Sequence, residues 1–196
     1  MKPRRVLFLV ENLPSPFDRR VWQEATTLRD AGYGVSIVCP TGKGYDKSFE
    51  CIDGIDIYRY RLPMEAEGAL GYLVEYCAAL AFSFALSCKI KFDVIHACNP
   101  PDLFFLIGGF WKLFGKKFVF DHHDANPELY EAKFGRRGLL WKAMVWLEKL
   151  TFRTADIWDS DEMRPLGPPP SARIAGAVSL LLWASVIACG RLLAYF

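Results

Sequence analysis

The chain has 196 residues, of which 52% are hydrophobic and 15% aromatic, and its formal net charge is only +2. This length suits one α/β domain with a sizeable core but not two, and the composition excludes a disordered chain. The nearly balanced charge argues against nucleic acid as a partner. The six cysteines form no C-x-x-C pair, which favours buried free thiols over disulfides or a zinc site.

The first third of the chain alternates short apolar runs with one amphipathic segment. Val6–Val10 is typical of a strand buried on both faces. A helix is predicted over Phe17–Ala31, where apolar residues recur at helical spacing and Asp18 can cap the start. A strand at Val35–Cys39 follows, and then two extended segments on either side of the turn at Asp53-Gly54.

The remaining elements continue this alternation, which predicts an α/β fold. The expected architecture is a Rossmann-like, doubly wound, mainly parallel sheet with helices on both faces. The predicted elements are a long apolar helix over 69–90, a strand Asp93–Ala97, a helix Pro101–Phe114, a strand Phe118–Phe120, an amphipathic helix Leu139–Thr154 and the start of a strand at Ala155–Ile157.

Ligands of such sheets bind in the crevice outside the carboxyl ends of the strands. The loops to examine are therefore Glu11–Asp18, Thr41–Lys47, Cys98–Asp102 and Asp121–Glu128. The loop after the first strand contains no G-x-G-x-x-G motif, which argues against a dinucleotide-binding dehydrogenase.

The sharpest motif is Asp121-His122-His123-Asp124, directly after a predicted strand. Two imidazoles between two carboxylates supply a base near neutral pH and a partner that fixes its tautomer. The alternative is a strand-end cluster that only caps the following helix. The same letters also resemble metal-dependent phosphoesterases of the Asp-His-His type, although too few further metal ligands are present.

Two other loops carry candidate binding residues. Asn99 and Asp102 can aim side chains at a ligand or cap the next helix. In the first loop, Asp18, Arg19 and Arg20 flank a helix N-terminus, where the free amides and the dipole favour anions. Either arginine can hold a phosphate by two hydrogen bonds, and a solvated helix start is the alternative.

Four segments together resemble bacterial glycosyltransferase family 4, in particular the enzymes that build cell-surface polysaccharides. They are VLFLVENLPSPFDRRVWQEATTLRDAGYGVSIVCP, FDVIHACNPPDLFFLIGG, KFVFDHHDANPELYEAKFG and LEKLTFRTADI. The resemblance covers residues 4–157. It implies a two-lobed GT-B architecture whose first lobe binds the acceptor, and a metal-independent, retaining transfer from a nucleotide-sugar that serves as co-substrate, with no cofactor.

The resemblance also implies roles for individual residues. His123 matches the histidine of the acceptor lobe and Asp124 its neighbour, so these two are the catalytic candidates. The other candidates are substrate-binding residues, namely Pro16, Phe17, Asp18, Arg19, Arg20, Asn99, Asp102, His122 and Glu128. The first loop lacks the Gly-Gly pair of many relatives. The E-x7-E spacing of the donor lobe occurs only at Glu67 and Glu75, on the wrong lobe, and is interpreted as chance.

The chain departs from the resemblance after Ile157. Residues 1–157 are predicted to form the Rossmann-like domain, 158–172 a linker and 173–196 a hydrophobic helix that includes the uncharged run Ile174–Gly190. This tail is either a membrane anchor of nearly spanning length or a non-native sequence that replaces the donor lobe. The helix over 69–90 is apolar enough for the membrane interface or for a core.

These observations predict the acceptor-binding half of a glycosyltransferase, inactive alone, with a glycan or lipid-linked acceptor as partner. A nucleotide-sugar would bind only with a donor lobe. Membrane contact through the tail or the apolar helix would place the chain in the cytoplasm at the inner face of the cell membrane. The alternative is a non-catalytic, membrane-tethered module that binds a glycan or a protein partner.

Overall fold

The computed structural model describes residues 4–62 and 68–156, which all belong to one structural unit that ends at Asp156. The helices are α1 (Arg19–Asp30), α2 (Gly68–Ser87), α3 (Phe105–Lys112), α4 (Asn126–Phe134) and α5 (Leu139–Thr154). The strands are β1 (Arg5–Leu9), β2 (Gly34–Pro40), β3 (Phe49–Ile52), β4 (Ile55–Tyr60), β5 (Val94–Cys98) and β6 (Lys117–Asp121).

The six strands form one sheet in the order β3-β4-β2-β1-β5-β6. All neighbours are parallel except β3 and β4, which form an antiparallel hairpin. Its turn residues Asp53 and Gly54 have φ values of 49° and 77°, as the tight turns that match strand twist require. The chain runs outward from β1 to β4 and returns through α2 to β5. The predicted mainly parallel, Rossmann-like sheet is confirmed.

The sheet is covered on both faces because alternate residues of its strands feed two cores. Val6 and Phe8 of β1 pack with Val21 and Ala25 of α1 on one face. Leu7 and Leu9 face the other core, which contains Ala79 of α2 and Ile107 of α3. β1 is apolar throughout because both of its faces are covered.

Two differences between the sequence prediction and the structure concern the start of α3 and the residues that follow α5. The helix expected from Pro101 begins only at Phe105, because Asp102 instead accepts hydrogen bonds from residues of α4 and α5. Ala155 and Asp156 do not continue as a strand. Asp156 donates its N–H to the Phe118 carbonyl at 2.7 Å and accepts from the Phe118 N–H at 2.6 Å, which satisfies the outer backbone groups of β6 at Phe118.

Two further predictions concern thiols and membranes. The five described cysteines are free, as predicted, but only Cys39 and Cys98 are buried, whereas Cys51, Cys77 and Cys88 are exposed. No helix within residues 4–62 and 68–156 is long and apolar enough to cross a membrane. The predicted linker and the hydrophobic C-terminal helix lie outside the described residues.

The contact of α3 with β6 leaves no room for a side chain at Gly108. A Cβ there would overlap the ring of Phe118, which is fully buried. We therefore expect Gly108→Ala to lower the free energy of unfolding by about 1–3 kcal/mol, as overpacking does. Urea denaturation measures this change. Gly109→Ala is the matched control, since its Cβ would meet Thr154 at an ordinary 3.5 Å. Equal stability of the two variants would contradict this packing.

Candidate functional site

The carboxyl ends of β1, β5 and β6 meet where the strand order reverses, between β1 and β5. The loop after β1 and the loops after β5 and β6 therefore lie side by side. The Asn99 N–H donates to the Asp121 carbonyl at 3.2 Å and extends the β5–β6 pairing by one hydrogen bond. This is the place where α/β sheets of this topology bind ligands.

The buried amide of Asn99 holds the loop that follows β6. Its Oδ1 accepts from the N–H groups of His123 at 3.0 Å and Asp124 at 3.2 Å, and its Nδ2 donates to the Asp124 carbonyl at 2.6 Å. Asn99 is only 1% exposed. The Asn99 amide thus holds the backbone of the loop in place. A direct contact of Asn99 with an acceptor stays a prediction.

The two adjacent histidines contact different helices. His122 Nε2 lies 2.9 Å from Glu148 of α5, and its ring packs against Phe152 of the same helix. His123 instead contacts Arg20 of α1, the helix that packs on the opposite face of the sheet. This divergence disfavours the Asp-His-His phosphoesterase interpretation, in which neighbouring ligands converge on metal ions.

His123 lies among one cation and two carboxylates. Its Nε2 is 3.2 Å from Arg20 Nη2 and 3.7 Å from an oxygen of Asp124, and its Nδ1 is 3.8 Å from Asp121. Partial burial and, next, the Arg20 charge lower the pKa of His123, so the ring is neutral at pH 7. The Asp124 side chain is 43% exposed and is free to meet a ligand.

Arg20 is tied to neighbouring carboxylates rather than extended into solvent. Its guanidinium forms ion pairs with Glu24, at 3.5 Å, and with Asp121, so α1 is linked directly to the end of β6. Arg19, one residue earlier, is exposed. A phosphate-binding role remains a prediction for both arginines, but only Arg19 is unencumbered by the contacts described here.

A group of potential metal ligands surrounds the Arg20 side chain. Ligand atoms of Glu24, His96, Cys98 and Asp121 all lie within 4.8 Å of one another. Burial lowers the pKa of His96 to about 4 and raises that of Cys98 to about 12, so the imidazole and the thiol are both uncharged at pH 7. Arg20 supplies the positive charge that the two carboxylates require.

The first loop is held by residues that the sequence analysis did not select. Arg59 of β4 is 4% exposed, and it donates to the Ser15 carbonyl at 2.8 Å and to Glu50 at 3.2 Å. The Ser15 N–H donates to Cys39 Sγ at 3.3 Å. In the sequence, Arg59 could have been recognised as a charged residue within the apolar pattern of β4.

Asp18 caps α1 as predicted, because its carboxylate accepts from the N–H groups of Arg20 and Val21 at 3.1 and 3.2 Å. Those two amides are therefore not free for an anion. Pro16 is half-buried, whereas Phe17 is 47% exposed at the loop tip. Their contact with substrate stays a prediction.

Asp102 and Glu128 occupy different environments. Asp102 is 7% exposed, and it accepts from Asn126 Nδ2 at 3.1 Å and, through its carbonyl, from Thr151 at 3.0 Å. It thus joins the β5 loop to α4 and α5. Glu128 is exposed in the first turn of α4, where a carboxylate interacts favourably with the helix dipole.

Two carboxyl groups, Glu11 after β1 and Glu75 of α2, interact with each other. Glu11 is 3% exposed, and burial, the charge of Glu75 and a hydrogen bond to Glu75 raise its pKa to about 8. Glu75 of α2 also lines a cavity of about 360 Å³ together with Asn12, Thr41 and Lys43. Glu75, whose sequence spacing from Glu67 was interpreted as chance, is therefore part of this edge of the sheet.

Comparison with known proteins identifies the class. The fold matches sucrose-phosphate synthase from Thermosynechococcus elongatus with a TM-score of 0.52 and 17% sequence identity, over 79% of this chain and 41% of that chain. The chain thus spans less than half the length of that protein. No curated protein matches this sequence.

Residues 18–158 match Glycosyltransferase Family 4. The matched region contains α1, the Asn99 loop and the loop of His123. The chain belongs to glycosyltransferase family 4.

The protonated carboxyl of Glu11 predicts a pH-dependent stability. A glutamate of ordinary pKa 4.5 loses its proton in the unfolded chain, whereas folded Glu11 keeps it until about pH 8. The folded state binds the extra proton between these values, so stability falls as the pH rises through this window. We expect a loss of roughly 2–5 kcal/mol in the wild type, at ~1.4 kcal/mol per pH unit, and a smaller loss in Glu11→Gln.

Urea denaturation at pH 5, 6, 7 and 8 measures this dependence. Glu128→Gln is the matched control, since it removes an exposed carboxyl. The same pH slope in the wild type and in Glu11→Gln would contradict a proton held at Glu11.

Proposed function

We propose that this chain supplies the acceptor-binding lobe of a glycosyltransferase that acts on a polysaccharide or lipid-linked glycan and is inactive without a donor lobe. The observation that carries the proposal is the position of His123 and Asp124. They stand at the carboxyl end of β6, beside α1 and near the point where strand order reverses. Family membership supplies the reaction class.

The proposed reaction exchanges one bond at the anomeric carbon of the sugar. The bond to the nucleoside diphosphate breaks, a bond to an acceptor hydroxyl forms, and the hydroxyl proton leaves with the diphosphate. His123, neutral at pH 7 because its pKa is lowered, would donate a hydrogen bond to the transferred sugar. Asp124, 43% exposed, would bind the sugar hydroxyls. No step requires a metal ion.

The nucleotide-sugar would be held by a second lobe. Residues 4–62 and 68–156 form one sheet with its helices and contain no second Rossmann-like unit. His122 and Glu128 would then line the acceptor side, with the exposed tip of the first loop at Phe17 meeting either substrate. Sucrose-phosphate synthase, by its name, makes a phosphorylated sugar, which agrees with a sugar substrate but supports the fold alone.

We further propose that the acceptor is met at the cytoplasmic face of a membrane. Exposed apolar side chains lie on α2, on α3 and just beyond α3, namely Phe84, Leu106, Phe110, Leu113 and Phe114, and the rings of Phe84 and Phe114 both contact Phe110. Lys112, in the last turn of α3, and Lys116 are paired with Asp156 and Asp93, so the apolar side chains alone carry the argument. Exposed aromatic side chains favour the interface of a bilayer, which agrees with a lipid-linked acceptor.

Binding experiments on the full chain test the glycosyltransferase proposal. Calorimetry with a panel of nucleotide-sugars and an assay of nucleoside diphosphate release should give no signal. Short glycans and a polyprenyl-diphosphate-linked sugar should shift NMR resonances of the 121–128 loop. His123→Ala should weaken acceptor binding about tenfold, as the loss of one hydrogen bond does.

The control variant is Glu131→Gln, further along α4, where the carboxylate pairs with Arg137. Donor turnover by the chain alone would overturn the need for a second lobe. Acceptor binding that His123→Ala leaves unchanged would favour the alternative of a non-catalytic glycan-binding module. No binding of either substrate would contradict both.

Membrane docking is tested by sedimentation with vesicles. We expect the full chain to sediment with vesicles that contain 30% anionic lipid, and we expect Leu113→Glu/Phe114→Glu to reduce the bound fraction at least fivefold, because it places charge among apolar contacts. Leu129→Glu, on exposed α4, is the control. Equal binding of all three proteins would contradict docking through α3.

A further inference from the structure

Arg20 contacts His123 with the same guanidinium that it anchors on two carboxylates. Its Nη1 pairs with Glu24 and Asp121, while its Nη2 lies 3.2 Å from His123 Nε2. Glu24 is one turn further along α1, and Asp121 ends β6. Two separate elements, α1 and β6, therefore fix the position of the guanidinium that contacts the histidine.

The chemistry of these groups determines where the imidazole carries its proton. A guanidinium has five N–H donors and no acceptor, so the bond between Arg20 and His123 exists only if Nε2 offers its lone pair. A neutral imidazole then carries its single hydrogen on Nδ1. Protonation would place a second N–H at Nε2 against the N–H of Arg20, which opposes the charged form.

We propose that Arg20 is a positioning residue that holds His123 in the neutral Nδ1–H tautomer. His123 then presents an N–H donor at Nδ1, and Arg20 disfavours protonation at Nε2. The tautomer follows from the contacts alone, whereas its meaning for sugar transfer depends on the proposed function. This arrangement disfavours a general-base role for His123 through Nε2.

Within the part of the chain that the structure describes, the charged groups around His123 act in opposite directions. Asp18 and Glu24 of α1 and Asp124 of the loop favour the imidazolium form, and Asp121 lies 3.8 Å from Nδ1. Burial and Arg20 oppose it. Burial is the largest cause of the lowered pKa of His123, and the Arg20 charge at Nε2 comes next, outweighing each nearby carboxylate.

Arg20→Met removes the guanidinium and keeps an unbranched side chain on a helix position that is partly exposed. The remaining carboxylates should then raise the midpoint of the His123 titration by about one pH unit, as nearby charges do, and the Nδ1–H tautomer should lose its dominance. Arg19→Met is the matched control, because it removes the same charge from the same turn without a described contact to His123.

Two-bond ¹H–¹⁵N NMR of the full chain, labelled at histidine nitrogens, reads both properties directly. The three histidines are assigned with single His→Gln variants. The expected wild-type result is a protonated Nδ1 at His123 and a titration midpoint below 6.5. An Nε2–H tautomer in the wild type, or a midpoint unchanged in Arg20→Met, would overturn the proposal.

The wild-type spectrum is decisive even if Arg20→Met does not fold, since the tautomer is read without a variant. No donor or acceptor is needed. An Nε2–H tautomer would therefore remove the role of Arg20 and leave the glycosyltransferase proposal intact. If the Nδ1–H tautomer is present but no acceptor binds, the role of Arg20 stands and the glycosyltransferase proposal is contradicted.

Discussion

The parallel pairing of β1 with β5 is the constraint on which the rest of the site depends. It joins the first strand to one that follows some ninety residues later in sequence, and it places the loops after β1, β5 and β6 along one edge. The Asn99 amide can then bond the backbone of His123 and Asp124, and Arg20 can reach Asp121. Each contact crosses between elements that only this topology makes neighbours.

Several ionisable side chains at this edge of the sheet are either paired or uncharged. Arg20 is neutralised by Glu24 and Asp121, burial keeps His96 uncharged, and Glu11 retains its proton up to about pH 8. A neutral hydrogen-bonding group loses less hydration free energy than an ion when a ligand covers it. The charges that stay accessible at this edge include those of Arg19 and Asp124.

Local sequence patterns predicted the helices and strands. They did not predict the contacts between segments that are distant in sequence. β1 and β5 were found because short apolar runs identify strands buried on both faces, and the Asp18 cap followed from its place before a helical repeat. The pair of Glu11 and Glu75 could not be found this way. Its two members are brought together only by the return of the chain through α2, and the start of α3 shifted because Asp102 bonds to later helices.

The covering of β6 by Asp156 has a consequence for how copies of this protein meet. A sheet that ends in a strand with open N–H and C=O groups is a template for strand addition and aggregation. At Phe118 both backbone groups are already bonded, one to the amide and one to the carboxylate of Asp156. A strand from a second copy would have to displace a hydrogen-bonded charge at Phe118 before it could pair with β6 along its length.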